Sequence, residues 1–289
     1  MKVLSGTAAW ADQTGLYPPG LASRDQLGVY ARHLPLVEVN STFHSLQPVR
    51  NFEKWTDDTP DDFVMNVKVY KAVTGQGQDP NGRPVDELLR RQRYSVAPLR
   101  AAGKFGVWLL QFPPWFQPGE RADELFEVAR RELEDDPVAI EVRHPGWFDA
   151  AWRETTLQRW RDLGFINVIV DEPRAGATGL VPMVPTVPAV TNPAHAYFRF
   201  MGRDQLGRLA GKEDRLRHRA REDYFYTEED WRELGDLVEA IAAEAEKAHV
   251  IWHNNGAAAN AVDSARHINE RFGVPLPDPD APRQAKLDL

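Results

Sequence analysis

The segment Ala139-Ile-Glu-Val-Arg-His-Pro-Gly-Trp147 joins a short apolar strand pattern to an acid, a guanidinium, an imidazole and a turn. Apolar runs that end in a polar residue recur at Val37–Asn40, Val64–Lys68, Trp108–Gln111, Val168–Asp171, Tyr197–Arg199 and Ile251–Asn255. Parallel barrels carry their functional groups at the carboxyl ends of the strands, all on one face. The repetition therefore predicts a (β/α)₈ barrel with a site at that face.

Apolar runs predict eight strands, and most of them are separated by amphipathic helical patterns. The predicted strands lie near residues 3–9, 36–40, 63–68, 106–112, 138–143, 165–170, 196–200 and 249–253. Ser23 with Gln26 and Thr227 with Asp230 have the spacing of helix capping boxes. The buried stripe of a last helix is predicted to consist of Ala261, Ala265, Ile268 and Phe272. Such alternation favours a parallel sheet, and eight strands favour its closure into a single-domain α/β barrel of the TIM type.

Two connections depart from the alternation. The connection after strand 2, residues 41–60, has room only for a short helix, and residues 172–195, after strand 6, carry five prolines. We expect residues 1–273 to form the barrel and residues 274–289 to form a proline-rich tail. Long irregular connections of this kind are commonly binding loops.

Composition restricts the classes of function. The chain has no cysteine, which excludes thiol catalysis, thiolate zinc sites and disulfides. Its net charge of −8 opposes nonspecific attraction to nucleic acid, and no apolar run of 18 residues predicts a membrane span. We therefore expect a soluble, cytoplasmic protein.

Eight short motifs lie at or near successive predicted strand ends. They are Ser5-Gly-Thr7, Val37-Glu-Val-Asn-Ser-Thr-Phe43, Phe63-Val-Met-Asn-Val-Lys68, Leu110-Gln-Phe-Pro-Pro114, Glu141-Val-Arg-His-Pro-Gly-Trp147, Tyr197-Phe-Arg-Phe-Met-Gly202, Asp223-Tyr-Phe-Tyr226 and His253-Asn-Asn255. Together they resemble the YecE-like family, a widespread bacterial and archaeal domain of unknown function. The resemblance spans residues 3 to 268 and implies a TIM-barrel fold with a polar pocket. It implies no particular reaction.

The chain departs from the family pattern at His44, Gly75 and Met201. Family members often carry a tyrosine at the first position and histidines at the other two. We therefore assign no mechanism that uses those two histidines as ligands or proton carriers.

The candidate site consists of polar residues at or just after the predicted strand ends. The candidate catalytic residues are Glu141, Lys68, His144 and Asp171. The candidate substrate-binding residues are Glu38, Asn40, Gln111, Arg143, Trp147, Arg199, Asn254 and Asn255. A glutamate beside a cation in a partly desolvated mouth is held ionised and can act as a general base or orient a hydroxyl. Alternatively, these charges simply fill the end of the barrel as an ion network.

Lys68 has two interpretations. As a neutral amine it would be a Schiff-base nucleophile, but Glu38 and Glu141 on nearby strands lead us to expect that it stays protonated and binds an acid or an anion. Arg143 and Arg199 favour a phosphate or carboxylate ligand, or else hold the site's own acids in place.

No cofactor is expected, although a divalent metal remains an alternative. The possible ligands are Glu38, Glu141, His144, Asp171 and His253. The sequence has no closely spaced pair of histidines, and Lys68, Arg143 and Arg199 place positive charge where a cation would sit. Asn254 and Asn255 precede Gly256 and predict a helix N-terminus that either binds an anion through its N–H groups or is capped by asparagine.

The leading hypothesis is an enzyme, a hydrolase, lyase or isomerase, that acts on a small anionic substrate, phosphorylated or sugar-containing. Glu141 is its predicted general base or acid. One alternative is a protein that binds or repairs nucleic acid through Arg203, Arg208, Arg215, Arg217, Arg219 and Arg221. Another is a noncatalytic ligand-binding barrel. The oligomeric state is not predicted.

Overall fold

The computed structural model describes residues 2–172, 184–203, 224–255 and 260–276. Eight strands run parallel and close into a barrel in sequence order, with β1 paired to both β2 and β8. The strands are β1 (Lys2–Ala8), β2 (Leu36–Val39), β3 (Val64–Lys68), β4 (Phe105–Gln111), β5 (Val138–Glu141), β6 (Ile166–Asp171), β7 (His195–Phe200) and β8 (Lys247–Trp252). The predicted fold class is confirmed.

Helices surround the barrel. The described α-helices are α1 (Gln26–Tyr30), α2 (Ser41–His44), α3 (Val49–Asp57), α4 (Val85–Ser95), α5 (Ala97–Ala101), α6 (Glu120–Leu133), α7 (Arg153–Asp162), α8 (Glu228–Ala242) and α9 (Ala261–Arg271). Short 3₁₀ turns lie at Thr14–Leu16, Ser23–Asp25 and Pro145–Phe148. No described helix is long and apolar enough to span a bilayer.

The hydrophobic core has two layers because successive side chains of a strand point to opposite faces of the sheet. One layer lies between the strands and the helices, where Ile169 and Trp252 are buried. The other fills the barrel, where Val168 and Val170 are buried from the same strand as Ile169. This alternation decides which strand-end residues reach the barrel interior.

The two predicted capping boxes have different outcomes. At α8, the Thr227 hydroxyl accepts from the Asp230 N–H while the Asp230 carboxylate accepts from the Thr227 N–H, so the box is formed. At the first helix the box is absent: Ser23 begins a 3₁₀ turn, and α1 follows without a side-chain cap. The 3₁₀ turn moves Ser23 away from the N-cap position of α1.

The connections after strands 2 and 6 fit the prediction of irregularity. The first holds only the short helices α2 and α3. The described part of the second, residues 184–194, contains neither helix nor strand. Most of the predicted tail, residues 277–289, lies outside the described residues.

Candidate functional site

The carboxyl ends of six strands bring charged and polar side chains into the barrel mouth. We call this group the mouth cluster, and it consists of Glu38 on β2, Lys68 on β3, Gln111 on β4, Glu141 and Arg143 at the end of β5, Arg199 on β7, and His253 after β8. All of these side chains except Arg143 and His253 are buried, so the mouth is filled by its own side chains.

Arg199 joins the two acids of the mouth cluster. Its Nε and Nη2 donate to the two carboxylate oxygens of Glu38, at 3.0 and 2.9 Å, and its Nη1 donates to Glu141. Side chains of Arg199 and Glu38 are fully buried. Burial opposes the charge of Arg199, but the two carboxylates raise its pKa well above the ordinary value. Arg199 is therefore a permanent cation at the centre of the site.

Glu141 is held ionised by its neighbours. Its Oε1 accepts from Gln111 Nε2 at 2.7 Å and from Arg143 Nε at 3.0 Å, and its Oε2 accepts from Arg199. Burial raises the pKa of Glu141, but the charges of Arg199, Arg143 and Lys68 act more strongly and lower it to about 2. A carboxylate with this pKa is a weak proton acceptor near neutrality.

Lys68 differs from the expectation that it stays protonated. Burial and the positive charge of Arg199 lower the pKa of Lys68 to about 7, although Glu38 and Glu141 act to raise it. The reason is that both carboxylates are directed at arginines, and none of the described carboxylates lies within 4.0 Å of the Lys68 amine. The amine lies 4.4 Å from the centre of the Phe43 ring instead. Near pH 7 both forms of Lys68 are populated.

A second polar group lies deeper in the barrel and connects to the mouth cluster. We call it the lower cluster, and it consists of Asn66, Tyr197 and His249. Asn66 donates to the Tyr197 hydroxyl at 3.2 Å and contacts His249 Nδ1 through its Oδ1 at 2.9 Å. The Tyr197 hydroxyl donates to Glu38 at 2.8 Å. Burial, together with the nearby His195 and Lys247, lowers the pKa of His249 to about 3, so its ring is neutral.

Tyr197 was not among the predicted site residues, and His253 was named only as a possible metal ligand. Both follow from the period of two, because Tyr197 lies two residues before Arg199 and His253 lies two residues after Ile251, which is buried inside the barrel. His253 Nδ1 lies 3.1 Å from Arg199 Nη2. The sequence therefore contained the information that both side chains face the barrel interior, in the alternation of inward and outward residues along each strand.

Asp171 lies outside the mouth cluster. It alternates with Val170, and both of its oxygens accept from Arg203, at 2.8 and 3.1 Å. Arg203 also donates to Asp230 and Glu233 on α8. The structure therefore places this predicted catalytic acid in an ion network between β6 and α8.

His144 and Trp147 belong to the turn after β5. His144 Nδ1 accepts from the Gly146 N–H at 3.1 Å and so caps the 3₁₀ turn. The Trp147 ring is buried against Phe116, and its Nε1 donates to the Phe116 carbonyl at 2.7 Å. Trp147 therefore belongs to the hydrophobic core and does not form a wall of the mouth.

The three predicted asparagines lie around the mouth. Asn40 Oδ1 is buried and accepts no hydrogen bond from any described residue, and Asn254 donates to the Tyr224 carbonyl. Asn255 accepts from Gln13 and donates to the Ala8 carbonyl, so it ties loops together. Helix α9 begins at Ala261 with Asn260 as N-cap residue, so neither Asn254 nor Asn255 caps it, and the predicted anion site at that helix end is not formed by them.

Of the six arginines in the nucleic-acid alternative, only Arg203 lies within the described residues, where three carboxylates engage it. The others, Arg208, Arg215, Arg217, Arg219 and Arg221, lie outside them. Within the described ranges no group of three His, Asp or Glu residues is placed to hold a metal ion. Arg199 occupies the space between the two acids that would be the nearest ligands.

Curated relatives share this sequence over most of its length. The UPF0759 protein YunF of Bacillus subtilis is 30% identical over 286 residues, which is 98% of each chain. The UPF0759 protein YecE of Escherichia coli K12 is 30% identical over 189 residues, 61% of this chain and 67% of its own. These relatives confirm the YecE-like resemblance.

Solved structures share the fold. A DUF72 family protein from Enterococcus faecalis V583 superposes with a TM-score of 0.85 at 26% identity, covering 98% of this chain and 99% of its own. Another from Thermotoga maritima MSB8 has a TM-score of 0.76 at 28% identity, covering 94% of this chain and all of its own. The family model described as "Protein of unknown function DUF72" matches residues 4–286. The chain belongs to the DUF72 family.

Proposed function

We propose that this protein is a cytoplasmic enzyme, a hydrolase, lyase or isomerase, whose own side chains supply the acid–base chemistry at the barrel mouth. Its substrate is a small anionic molecule, phosphorylated or sugar-containing. The observation that carries the proposal is a buried lysine with a pKa of about 7 beside an ion network whose acids are already engaged by arginines. Titratable groups whose pKa is shifted towards the working pH cluster at functional sites.

Lys68 is the proton-transfer group in this proposal. Glu141 was the predicted acid or base, but its oxygens accept from Gln111, Arg143 and Arg199, and its pKa is about 2. A lysine near its pKa both accepts and donates a proton at pH 7. Glu141 and Glu38 then act as fixed negative charges that hold Arg199.

Arg143 supports an anionic substrate. Its side chain is 18% exposed, the most open of the three mouth cations with Arg199 and Lys68, and its Nη1 donates to none of the described residues. A guanidinium with free donors grips phosphate or carboxylate strongly. With Lys68 protonated, the three cations exceed the two acids of the cluster by one charge.

The test is a thermal-shift screen followed by turnover assays. The wild type is heated with inorganic phosphate, glycerol 3-phosphate, glucose 6-phosphate, gluconate, AMP and a short DNA oligonucleotide. A ligand present at about 100 times its Kd stabilises the folded state by about 2.7 kcal/mol. We expect one of the small anions to raise the Tm, Arg143→Ala to abolish that shift, and Lys68→Met to abolish turnover.

Arg90→Ala is the matched control, because Arg90 is an exposed arginine on α4 that pairs with Asp86 and Glu132. It should leave the shift unchanged. A shift with the oligonucleotide alone that survives Arg143→Ala would favour nucleic-acid binding instead. Binding of small anions without turnover of any of them would favour the noncatalytic barrel. No further observation on the described residues supports a second function.

A further inference from the structure

We propose that Lys68 is a Schiff-base nucleophile, and that the substrate is a small aldehyde or ketone that carries a carboxylate or phosphate group. This inference rests on the proposed function of the barrel mouth. It specifies a substrate class and replaces the proton-transfer role of Lys68 with a covalent one during the imine stage. Three features of the described residues carry the inference: the free amine, its fixed backbone and the open guanidinium beside it.

The amine of Lys68 is available for bond formation. Both arginines of the mouth cluster engage its carboxylates, whereas Lys68 donates to none of the described residues. The Phe43 ring, 4.4 Å away, gives the amine an apolar neighbour. Desolvation and nearby cations are the two means by which proteins keep a lysine amine neutral and nucleophilic. Here both act on the same group, since burial and Arg199 lower the pKa of Lys68.

The backbone of Lys68 is held by side chains from two different elements. Its carbonyl accepts from Thr42 Oγ1 at 2.7 Å and from Gln92 Nε2 at 3.0 Å. Gln92 also accepts from the Tyr70 N–H at 3.0 Å, so it bridges the chain just after β3. A group that must form a covalent bond benefits from such support, because the reacting atom has to be held within a fraction of an ångström.

The step is balanced without any added reactant. The neutral amine of Lys68 adds to the carbonyl carbon, and one amine proton passes through water to the carbonyl oxygen to give a carbinolamine. The hydroxyl then takes up a proton and leaves as water while the nitrogen lone pair forms the C=N bond. The protonated imine withdraws electrons from the bond next to it, which suits a lyase or an isomerase. Glu38 and Glu141 stabilise its positive charge, as they act on the charge of Lys68 itself.

Arg143 selects the anionic group. It is the most open of the three mouth cations, and its Nη1 donates to none of the described residues beyond the contacts that Nε and Nη2 make with Glu141 and Met201. Arg143 lies near enough to Lys68 to lower its pKa, so a substrate whose carboxylate or phosphate binds Arg143 while its carbonyl reaches Lys68 is a small molecule. The proposal therefore specifies short α-keto acids and short sugar phosphates.

The first experiment labels the wild type with formaldehyde and cyanoborohydride at pH 7. Formaldehyde condenses with a neutral amine with loss of water, and hydride reduces the imine to a methylamine. An amine with a pKa of about 7 is half neutral at that pH, whereas fewer than about one in 1,000 ordinary lysine side chains are. We expect the peptide containing Lys68 to be methylated at least about tenfold faster than that containing exposed Lys54. Equal or slower labelling of Lys68 would overturn the proposal.

The second experiment replaces formaldehyde with glyoxylate, an anionic carbonyl compound. We expect Arg143→Met to reduce the labelling of Lys68 by glyoxylate several-fold more than its labelling by formaldehyde. Formaldehyde is uncharged, so its labelling rate corrects for any change in the reactivity of the amine itself. A change in Arg143→Met that is equal for the two reagents would overturn the assignment of Arg143. If small anions still shift the Tm but Lys68 is not labelled, the covalent step is wrong and the proposed function stands. If neither occurs, both are wrong.

Discussion

The lower half of the barrel interior is filled with neutral side chains, whereas the carboxyl end is filled with charged ones. The lower half contains Leu4, Val107, Ile166, Asn66 and the neutral ring of His249. The carboxyl end contains Glu38, Glu141, Arg199 and Lys68. Both regions are buried within one closed sheet, so they differ in chemistry and not in their access to water.

From this difference we predict that barrel closure does not require the ions. Apolar side chains fill most of the lower half, and Gly106 leaves room there for the Asn66 amide and the His249 ring, each of which would lie within 3.2 Å of an added Cβ. A buried ion cluster contributes less to stability than its Coulomb attraction suggests, because each charge must first be desolvated. The proposed binding of a charged molecule at the mouth would account for these ions.

The largest expected effect comes from removing the central cation. Arg199→Met leaves Glu38 and Glu141 buried without the guanidinium that both of them contact, and we expect a loss of about 3–5 kcal/mol in the free energy of unfolding. Urea unfolding at pH 7 measures it. As a control, Arg271→Met removes an arginine that pairs with the largely exposed Asp236 and Glu239, and should cost about 1 kcal/mol or less.

A triple variant tests whether the barrel needs the ions at all. If the ions are not needed for closure, E38L/R199M/E141L should recover a large part of the stability that Arg199→Met loses, because no uncompensated acid remains. A triple variant as unstable as the single one would show that the mouth differs from the lower half only in its choice of stabilising contacts. That result would remove the argument that its charges serve a ligand.

The next effect separates the two regions by pH. The pKa of His249 is about 3 in the folded protein against an ordinary value of 6.5, so between these values the unfolded state binds more protons and stability falls as the pH falls. The pKa of Glu141 is lowered from 4.5 to about 2, so the stability that its charge contributes is lost only as the pH falls from 4.5 towards 2. At pH 4, His249→Gln should therefore recover about 3 kcal/mol of the loss between pH 6.5 and pH 4, at 1.36 kcal/mol per unit.

Urea unfolding of the wild type and His249→Gln at half-unit steps from pH 7 to pH 4 measures this difference. The free energy of unfolding of the variant minus that of the wild type should be about 3 kcal/mol more positive at pH 4 than at pH 7. Parallel curves would show that His249 is not held neutral, and the distinction between a neutral lower half and a charged mouth would fail.

The sequence predicted the barrel because each strand is a local apolar run. All eight predicted strands overlap the observed ones, although β5 ends at Glu141, two residues before the predicted end of that strand at residue 143. The alternation of side-chain direction along a strand also predicts which strand-end residues face the barrel, and the choice of candidate residues did not use it. Val168 and Val170 point into the barrel, so Asp171 must point away from it, which is where Arg203 binds it. Position at a strand end alone was therefore too weak a criterion.

The protonation of Lys68 was beyond the reach of sequence patterns. It depends on whether Glu38 and Glu141 point at Lys68 or at Arg199, and these residues come from four different strands. Distances of 3 Å across the barrel decide that question, and no local pattern encodes them. Trp147 is similar, because its packing against Phe116 depends on the path of the loop after β4.

The smallest effect tests whether Lys68 itself costs stability. Its folded pKa of about 7 lies below the ordinary value of 10.5, so below pH 7 the folded state bears the full cost of the buried charge, and the cost declines as the pH rises towards 10.5. We expect Lys68→Met to raise the free energy of unfolding by about 1 kcal/mol at pH 7, as removal of a functional residue often does. The gain should shrink by pH 10. Urea unfolding at both pH values measures it, with Lys54→Met as the control for the loss of one lysine, and a variant less stable than the wild type at pH 7 would mean that Lys68 is a structural cation of the mouth cluster.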